Sequence, residues 1–235
     1  MMKIYNKLIE LQYLLLYFYT KFKNNKMKNY ITEFIGTFFL VLTIGLTGDP
    51  IAIGTMLMVM VYMGGHISGA HYNPAVSIAM IIRGILSVKE AVKYILFQIA
   101  GAILAAFLVN SLLSVQESYK IMKVVADVND VGYSPLQILL IETIFTFALV
   151  LVILNVATNP KTEGNSYYGL AIGFTIMAAA FAGGAISGGA YNPAVGIGPA
   201  VASLSNDYFP DLWYYLVGPI AGAVLATYIY KLTTD

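Results

Sequence analysis

The sequence predicts an all-α membrane protein of six transmembrane helices plus two re-entrant half-helices, arranged as an inverted 3+3 repeat. Three observations predict it. Of 235 residues, 59% are hydrophobic and 11% charged, less than half the charge with which a soluble domain covers its surface. A water-soluble globule of this composition would expose large apolar patches. Six stretches are apolar over about the length of a bilayer crossing, and two more are too short to cross. The two halves of the chain repeat one another block by block.

In chain order the spans cover residues 30–47, 51–65, 91–113, 136–157, 168–184 and 212–232. The short apolar pieces, 73–82 and 192–204, each follow a glycine-rich run and start at Asn-Pro. Asparagine suits a helix cap and proline the first helical position, so both pieces read as re-entrant or interfacial helices. Lysine and arginine set the orientation. With a cytoplasmic N-terminus, Lys3, Lys7, Lys21, Lys23, Lys26, Lys28, Arg83, Lys89, Lys93, Lys161 and Lys231 lie inside, against Lys120 and Lys123 outside. The outer loops carry Asp49, Asp127, Asp130, Asp207 and Asp211 instead. Both termini are therefore expected in the cytoplasm of a cell bounded by a plasma (inner) membrane, and a lysine-rich, arginine-poor usage points to an AT-rich microbial genome.

Residues 1–28 form a cytoplasmic N-terminal extension ahead of one membrane domain over 29–235. Ile4, Leu8, Leu11, Leu15 and Phe18 fall at helical spacing among lysines. Two readings fit: an amphipathic helix lying in the membrane interface, or an extension upstream of a true start at Met27. No small-residue cleavage site follows, as a signal peptide requires.

Within the membrane domain, Glu33 to Leu42 aligns with Glu142 to Leu151, Gly64 to Ile78 with Gly183 to Ile197, and Ile99 to Ala105 with Ile220 to Ala226. Repeat one covers about 30–113 and repeat two about 136–232. Each holds three spans, an odd number, so the second enters the membrane upside down. Inverted repeats place their site near the midplane, at the repeat interface. The two half-helices then meet N-terminus to N-terminus. Non-helical backbone at that depth is tolerated only where it is buried or lines a wet cavity. The arrangement describes a narrow, polar-striped pore.

Candidate functional residues follow. Each half-helix N-terminus carries about half a positive charge, which opposes cations at the midpoint. Asn73 and Asn192 can cap their helices and still present amide donors to a passing solute. Glu33 and Glu142 lie within spans, where a carboxylate is expensive. A proton-relay pair is one reading. Their repetition, one per half beside each loop, favours hydrogen bonding to the irregular backbone of that loop. His66 is expected to hold the loop, the other reading being a pH gate at an inner vestibule; His71 has no assigned role. Gly36, Gly101, Gly173 and Gly222 are expected to permit close helix packing, and Trp213 with Tyr214 to sit in an interfacial belt.

Composition excludes other classes. There is no cysteine, there are two histidines, and the net charge is +1. No metal site, cofactor site or nucleophile–base pair can be assembled from the motifs, and no basic surface points to nucleic acid. A coupled transporter or ion channel needs charged pore positions, and none remain once Glu33 and Glu142 serve the loops.

These residues resemble the aquaporin and glycerol-facilitator (major intrinsic protein) family. Asn73-Pro74-Ala75 and Asn192-Pro193-Ala194, a glutamate in the first span of each half, and Gly-His-Ile-Ser-Gly before the first motif carry the likeness, from about Met27 to Lys231. The resemblance implies a homotetramer in the lipid bilayer, one pore per subunit, passing water or small neutral solutes down their gradients. It also implies an outer selectivity filter at Ile53, Ala180, Gly189 and Val195. Here the sequence departs from the family pattern: Val195 stands where arginine is usual, and Ile53 and Ala180 where water-selective members carry an aromatic and a histidine. Gly196 lacks the aspartate typical of glycerol facilitators, and Ala200 resembles the water-channel branch. A wide, apolar filter would admit water, ammonia, hydrogen peroxide, urea or glycerol. The alternatives are a strictly water-selective channel, narrowed by a neighbour such as Phe181, or an adhesion or scaffold protein with a vestigial pore.

Overall fold

In the computed structural model the described residues are 25–113, 132–203 and 210–234, with six positions between 5 and 13 that are helical. Ile4, Leu8, Leu11, Leu15 and Phe18 lie outside them. Among the described residues there is no strand. Six helices are long and apolar enough to cross a membrane: α1 (Asn25–Thr47), α2 (Pro50–Ser68), α4 (Val88–Leu112), α5 (Pro135–Ala157), α6 (Tyr168–Ser187) and α8 (Leu212–Thr234). Between them come the half-helices α3 (Pro74–Ile82) and α7 (Pro193–Ala202).

Local chemistry sets the boundaries. Asp49 caps α2 by accepting from Ala52 N at 2.9 Å, with Pro50 in the first turn. Ser134 and Gln137 close a reciprocal capping box at the start of α5. Gly69 and Gly188 end α2 and α6 with φ of 90° and 84°, a left-handed conformation that L side chains adopt only at a penalty. These two glycines turn the chain out of each span and into the loop before each half-helix.

The first and third spans of each half pair closely, α1 with α4 and α5 with α8, and α2 crosses α6 between the halves. Glycine allows each approach. A Cβ on Gly101 would meet Phe34 O at 2.4 Å, and one on Gly222 would meet Thr143 O at 2.3 Å. At the α2–α6 crossing a Cβ on Gly173 would lie 2.4 Å from Gly54 O, and one on Gly54 would lie 2.6 Å from Gly173 O. Gly36 differs from these, since it leaves room for the ring of Tyr72 and not for another helix. The half-helices interlock the halves. Helix α3 packs on α8 and α7 on α4, each against the third span of the other half.

Candidate functional site

The loops Gly69–Asn73 and Gly188–Asn192 reach the centre of the bundle from opposite sides. Each contains a tyrosine in the left-handed region, Tyr72 at φ 50° and Tyr191 at φ 48°, a conformation costing about 1–2 kcal/mol for a residue with a side chain. Packing and hydrogen bonds hold both in place. Tyr72 OH donates to Met60 O and Tyr191 OH to Ala179 O, each at 2.9 Å. Both tyrosines are fully buried.

Two buried carboxylates organise the loop backbones. Glu33 Oε1 accepts from Ser68 Oγ at 2.6 Å and His71 N at 3.0 Å; its Oε2 accepts from Tyr72 N and Gln98 Nε2, both at 2.7 Å. Glu142 Oε1 accepts from Ser187 Oγ at 2.6 Å and Ala190 N at 3.0 Å, and its Oε2 from Tyr191 N at 2.6 Å. Tyr94 OH and Tyr215 OH donate to Ser68 O and Ser187 O, each at 2.8 Å. The amides of His71, Tyr72, Ala190 and Tyr191 thereby find acceptors within the protein at membrane depth.

The asparagines join the halves. Asn73 Oδ1 accepts from Ala75 N at 2.9 Å and Asn192 Oδ1 from Ala194 N at 3.0 Å, so each caps its half-helix. Asn73 Nδ2 then donates to Tyr191 O, and Asn192 Nδ2 to Tyr72 O, both at 2.9 Å. One N–H of each amide is spent on this cross-link and the second remains. The two half-helix N-termini therefore face each other, with both positive dipole ends at one place.

Beside this junction lies a cavity of about 30 Å³. Asn73, Asn192 and the loop residues Ala70, His71, Tyr72, Gly189 and Ala190 line part of it, and aliphatic side chains of α1, α2, α5 and α6, with Val76 of α3 and Val195 of α7, line the rest. No lysine, arginine, aspartate or glutamate is among its lining residues. Ile53, Gly189 and Val195 are on its wall; Ala180 is not, and Ile176, one turn earlier on α6, is. Pro74, Ala75, Pro193 and Ala194 are buried behind it in the first turns of the half-helices.

A wider vestibule of about 800 Å³ opens between the ends of α2 and α5 and the loop Thr158–Asn165. Asn159 caps a short 3₁₀ turn there, and Asn165 Nδ2 donates to Val156 O and Thr162 O. His66 lines this vestibule. It forms no hydrogen bond to the loop among the described residues, unlike the expected loop-holding role, because it projects from α2 nearly a full turn before the loop begins. The histidine that ties the loop to its half-helix is His71, itself a loop residue, whose Nδ1 lies 3.1 Å from Ser77 Oγ on α3.

Sequence reading misses His71, Ser68, Ser187, Gln98 and the Tyr94–Tyr215 pair. The serines are visible in the aligned Ile-Ser-Gly blocks. The tyrosines stand five residues before the aligned Ile99 and Ile220, so a longer alignment pairs them.

Comparison with known proteins places these features. The model of the family described as "Major intrinsic protein" matches residues 43–230. The chain is 36% identical to "Glycerol uptake facilitator protein-like 6" of Lactiplantibacillus plantarum, over 86% of this chain and 96% of that protein. It is 34% identical to "Aquaporin NIP1-2" of Arabidopsis thaliana, over 88% of this chain and 74% of that protein. The aquaglyceroporin structure from Plasmodium falciparum has the same fold, with a TM-score of 0.75 at 24% identity, covering 88% of this chain and 96% of that one. With six membrane-crossing helices, two facing half-helices and a family match over most of its length, the chain belongs to the major intrinsic protein family, whose members are multi-pass membrane channels and not enzymes.

Proposed function

We propose that the chain is a passive channel for water and small neutral solutes, with Asn73-Pro74-Ala75 and Asn192-Pro193-Ala194 at the midpoint of the pore. One observation carries the reading: the cavity at the asparagine junction has no lysine, arginine, aspartate or glutamate on its wall. Its volume of about 30 Å³ suits on the order of two waters, each needing roughly 10–15 Å³. A solute there accepts from the free N–H groups of both asparagines, and two converging half-charges oppose cations. A water accepting from both asparagines has both lone pairs engaged, so it cannot accept a proton from a neighbour along the file.

In this reading Ile53, Gly189 and Val195, with Ala180 beyond them, form a filter lacking the family's usual arginine, and Ile176 adds an aliphatic wall. Without fixed donors, selection falls to size and desolvation, so urea and glycerol pass with water. Glu33 and Glu142 hold the two loops. The lysine distribution supports cytoplasmic termini in a plasma-membrane protein, and the family pattern supports a homotetramer.

Stopped-flow light scattering of proteoliposomes, shocked in parallel with sucrose and with urea or glycerol, tests the proposal. Fast shrinkage in sucrose, and shrinkage followed by re-swelling in urea or glycerol, is expected. Shrinkage without re-swelling means a strictly water-selective channel. No flux of any solute means a pore that has become structural.

A further inference from the structure

We propose that Arg83 and the turn that follows it bind the phosphate of a phospholipid headgroup. Arg83 is the single arginine of the chain. It caps the C-terminal end of the half-helix α3 and is half-buried, its guanidinium 5.1 Å above the ring of Tyr230. Its Nε is buried with no hydrogen-bond partner, and no carboxylate pairs with it among the described residues. The acid nearest in sequence, Glu90, is already taken by Lys26, Lys93 and Tyr30.

Arginine at the end of a helix has an ordinary explanation, the negative pole of the helix dipole. Here that explanation falls short. Lys231 Nζ already donates to Ile82 O at 2.8 Å at the same helix end. Two whole positive charges therefore sit on a pole worth about half a negative charge. Most of the excess has no counter-ion among the described residues. A planar guanidinium with open donors matches a phosphate, which it can bind with two parallel hydrogen bonds.

The surroundings specify a lipid and not a free ion. Arg83 lies where α3 and α8 end and α4 begins, close in sequence to Ile85 at 56% and Val88 at 63% exposure, with Leu232 at 81% on α8. These apolar side chains flank the cation at the boundary of the spans, where an acyl chain can cover them while the headgroup meets the guanidinium. Lys89, exposed in the same stretch, adds attraction for an anionic headgroup.

The test uses the delipidated full chain in detergent, titrated with phosphatidylglycerol, phosphatidylcholine and inorganic phosphate, with adducts read by native mass spectrometry. Arg83→Gln is expected to weaken phosphatidylglycerol binding about tenfold, and Lys28→Gln, an exposed control lysine, to change it less than about twofold. Equal loss in both variants, or no loss in Arg83→Gln, overturns the proposal in favour of diffuse surface charge. Inorganic phosphate binding as tightly as the lipid overturns the lipid assignment. Should Arg83→Gln fail to fold, the pair Ile85→Ser and Val88→Ser decides. Weaker lipid binding with unchanged phosphate binding supports the site, and unchanged lipid binding overturns it.

Discussion

The two loops that meet at the centre of this molecule follow one plan and are held by unequal means. Both use a buried glutamate, the serine at the end of the preceding span, a tyrosine reaching in from the third span, and an asparagine that crosses to the other half. Around the first loop there is a further polar layer. Gln98 Nε2 donates to Glu33 Oε2 and to Ser77 Oγ, and Ser77 Oγ also meets His71. The corresponding positions of the second half are Pro219, Gly196 and Ala190, in which every side-chain donor and acceptor is gone. Tyr215 fills the space instead, its Cβ only 2.6 Å from where a Cβ on Gly196 would stand. The three changes belong together. Once Gln98 is absent, a hydroxyl at the serine position would be buried without a partner, at about 1–3 kcal/mol. The shared set of groups is what a membrane-buried loop requires; the extra layer is one of two ways to fill the space behind it.

Removing the carboxylates should expose the inequality most strongly. Glu33→Ala strands four buried donors and Glu142→Ala three, at roughly 1–3 kcal/mol each. Both variants are expected to unfold well below the wild type in detergent, Glu33→Ala lowest. An equal or larger drop for Glu142→Ala would break the comparison. Next in size is Gly196→Ser, which restores the first-half residue where Tyr215 stands. Overpacking should lower stability by about 1–3 kcal/mol despite the added hydroxyl. A Gly196→Ser protein as stable as wild type would show that Tyr215 moves aside easily. Smallest is Gln98→Leu. It removes one donor from Glu33 and one from Ser77, but it also removes Gln98 Oε1, a buried acceptor without a partner. A net loss of about 1 kcal/mol is expected, read as a modest fall in melting temperature with water flux per folded channel unchanged.

How far these features are legible depends on their range. The spans and half-helix starts can be read because apolar length and Asn-Pro caps are local signals, and observed helix ends fall within a few residues of those expected. The glutamates can be read because a carboxylate stands out in a span and recurs in the repeat. Gln98 cannot: one amide vanishes in the averaged hydropathy of α4, and its partner Glu33 lies 65 positions away. His66 lines the vestibule instead of holding the loop, and His71, which has no role assigned from the sequence, meets Ser77, because spacing from Asn-Pro-Ala does not tell which way a side chain turns. Ile176 and Ala180 share one face of α6 at a four-residue interval. Counting from the motif identifies the face, and only the fold shows which turn meets the cavity.

Both halves contribute to the aliphatic cavity wall, and Val195 sits on it, at the position we propose for the filter's missing arginine. Val195→Arg in proteoliposomes, compared with wild type for re-swelling after a urea or glycerol shock, tests most directly that this pore selects without a charged filter. Re-swelling should fall at least about tenfold while water flux in sucrose changes far less, because a guanidinium narrows the aperture and competes for solute oxygens. Re-swelling as fast in Val195→Arg as in wild type would place the selecting residues elsewhere and contradict the assignment of the filter.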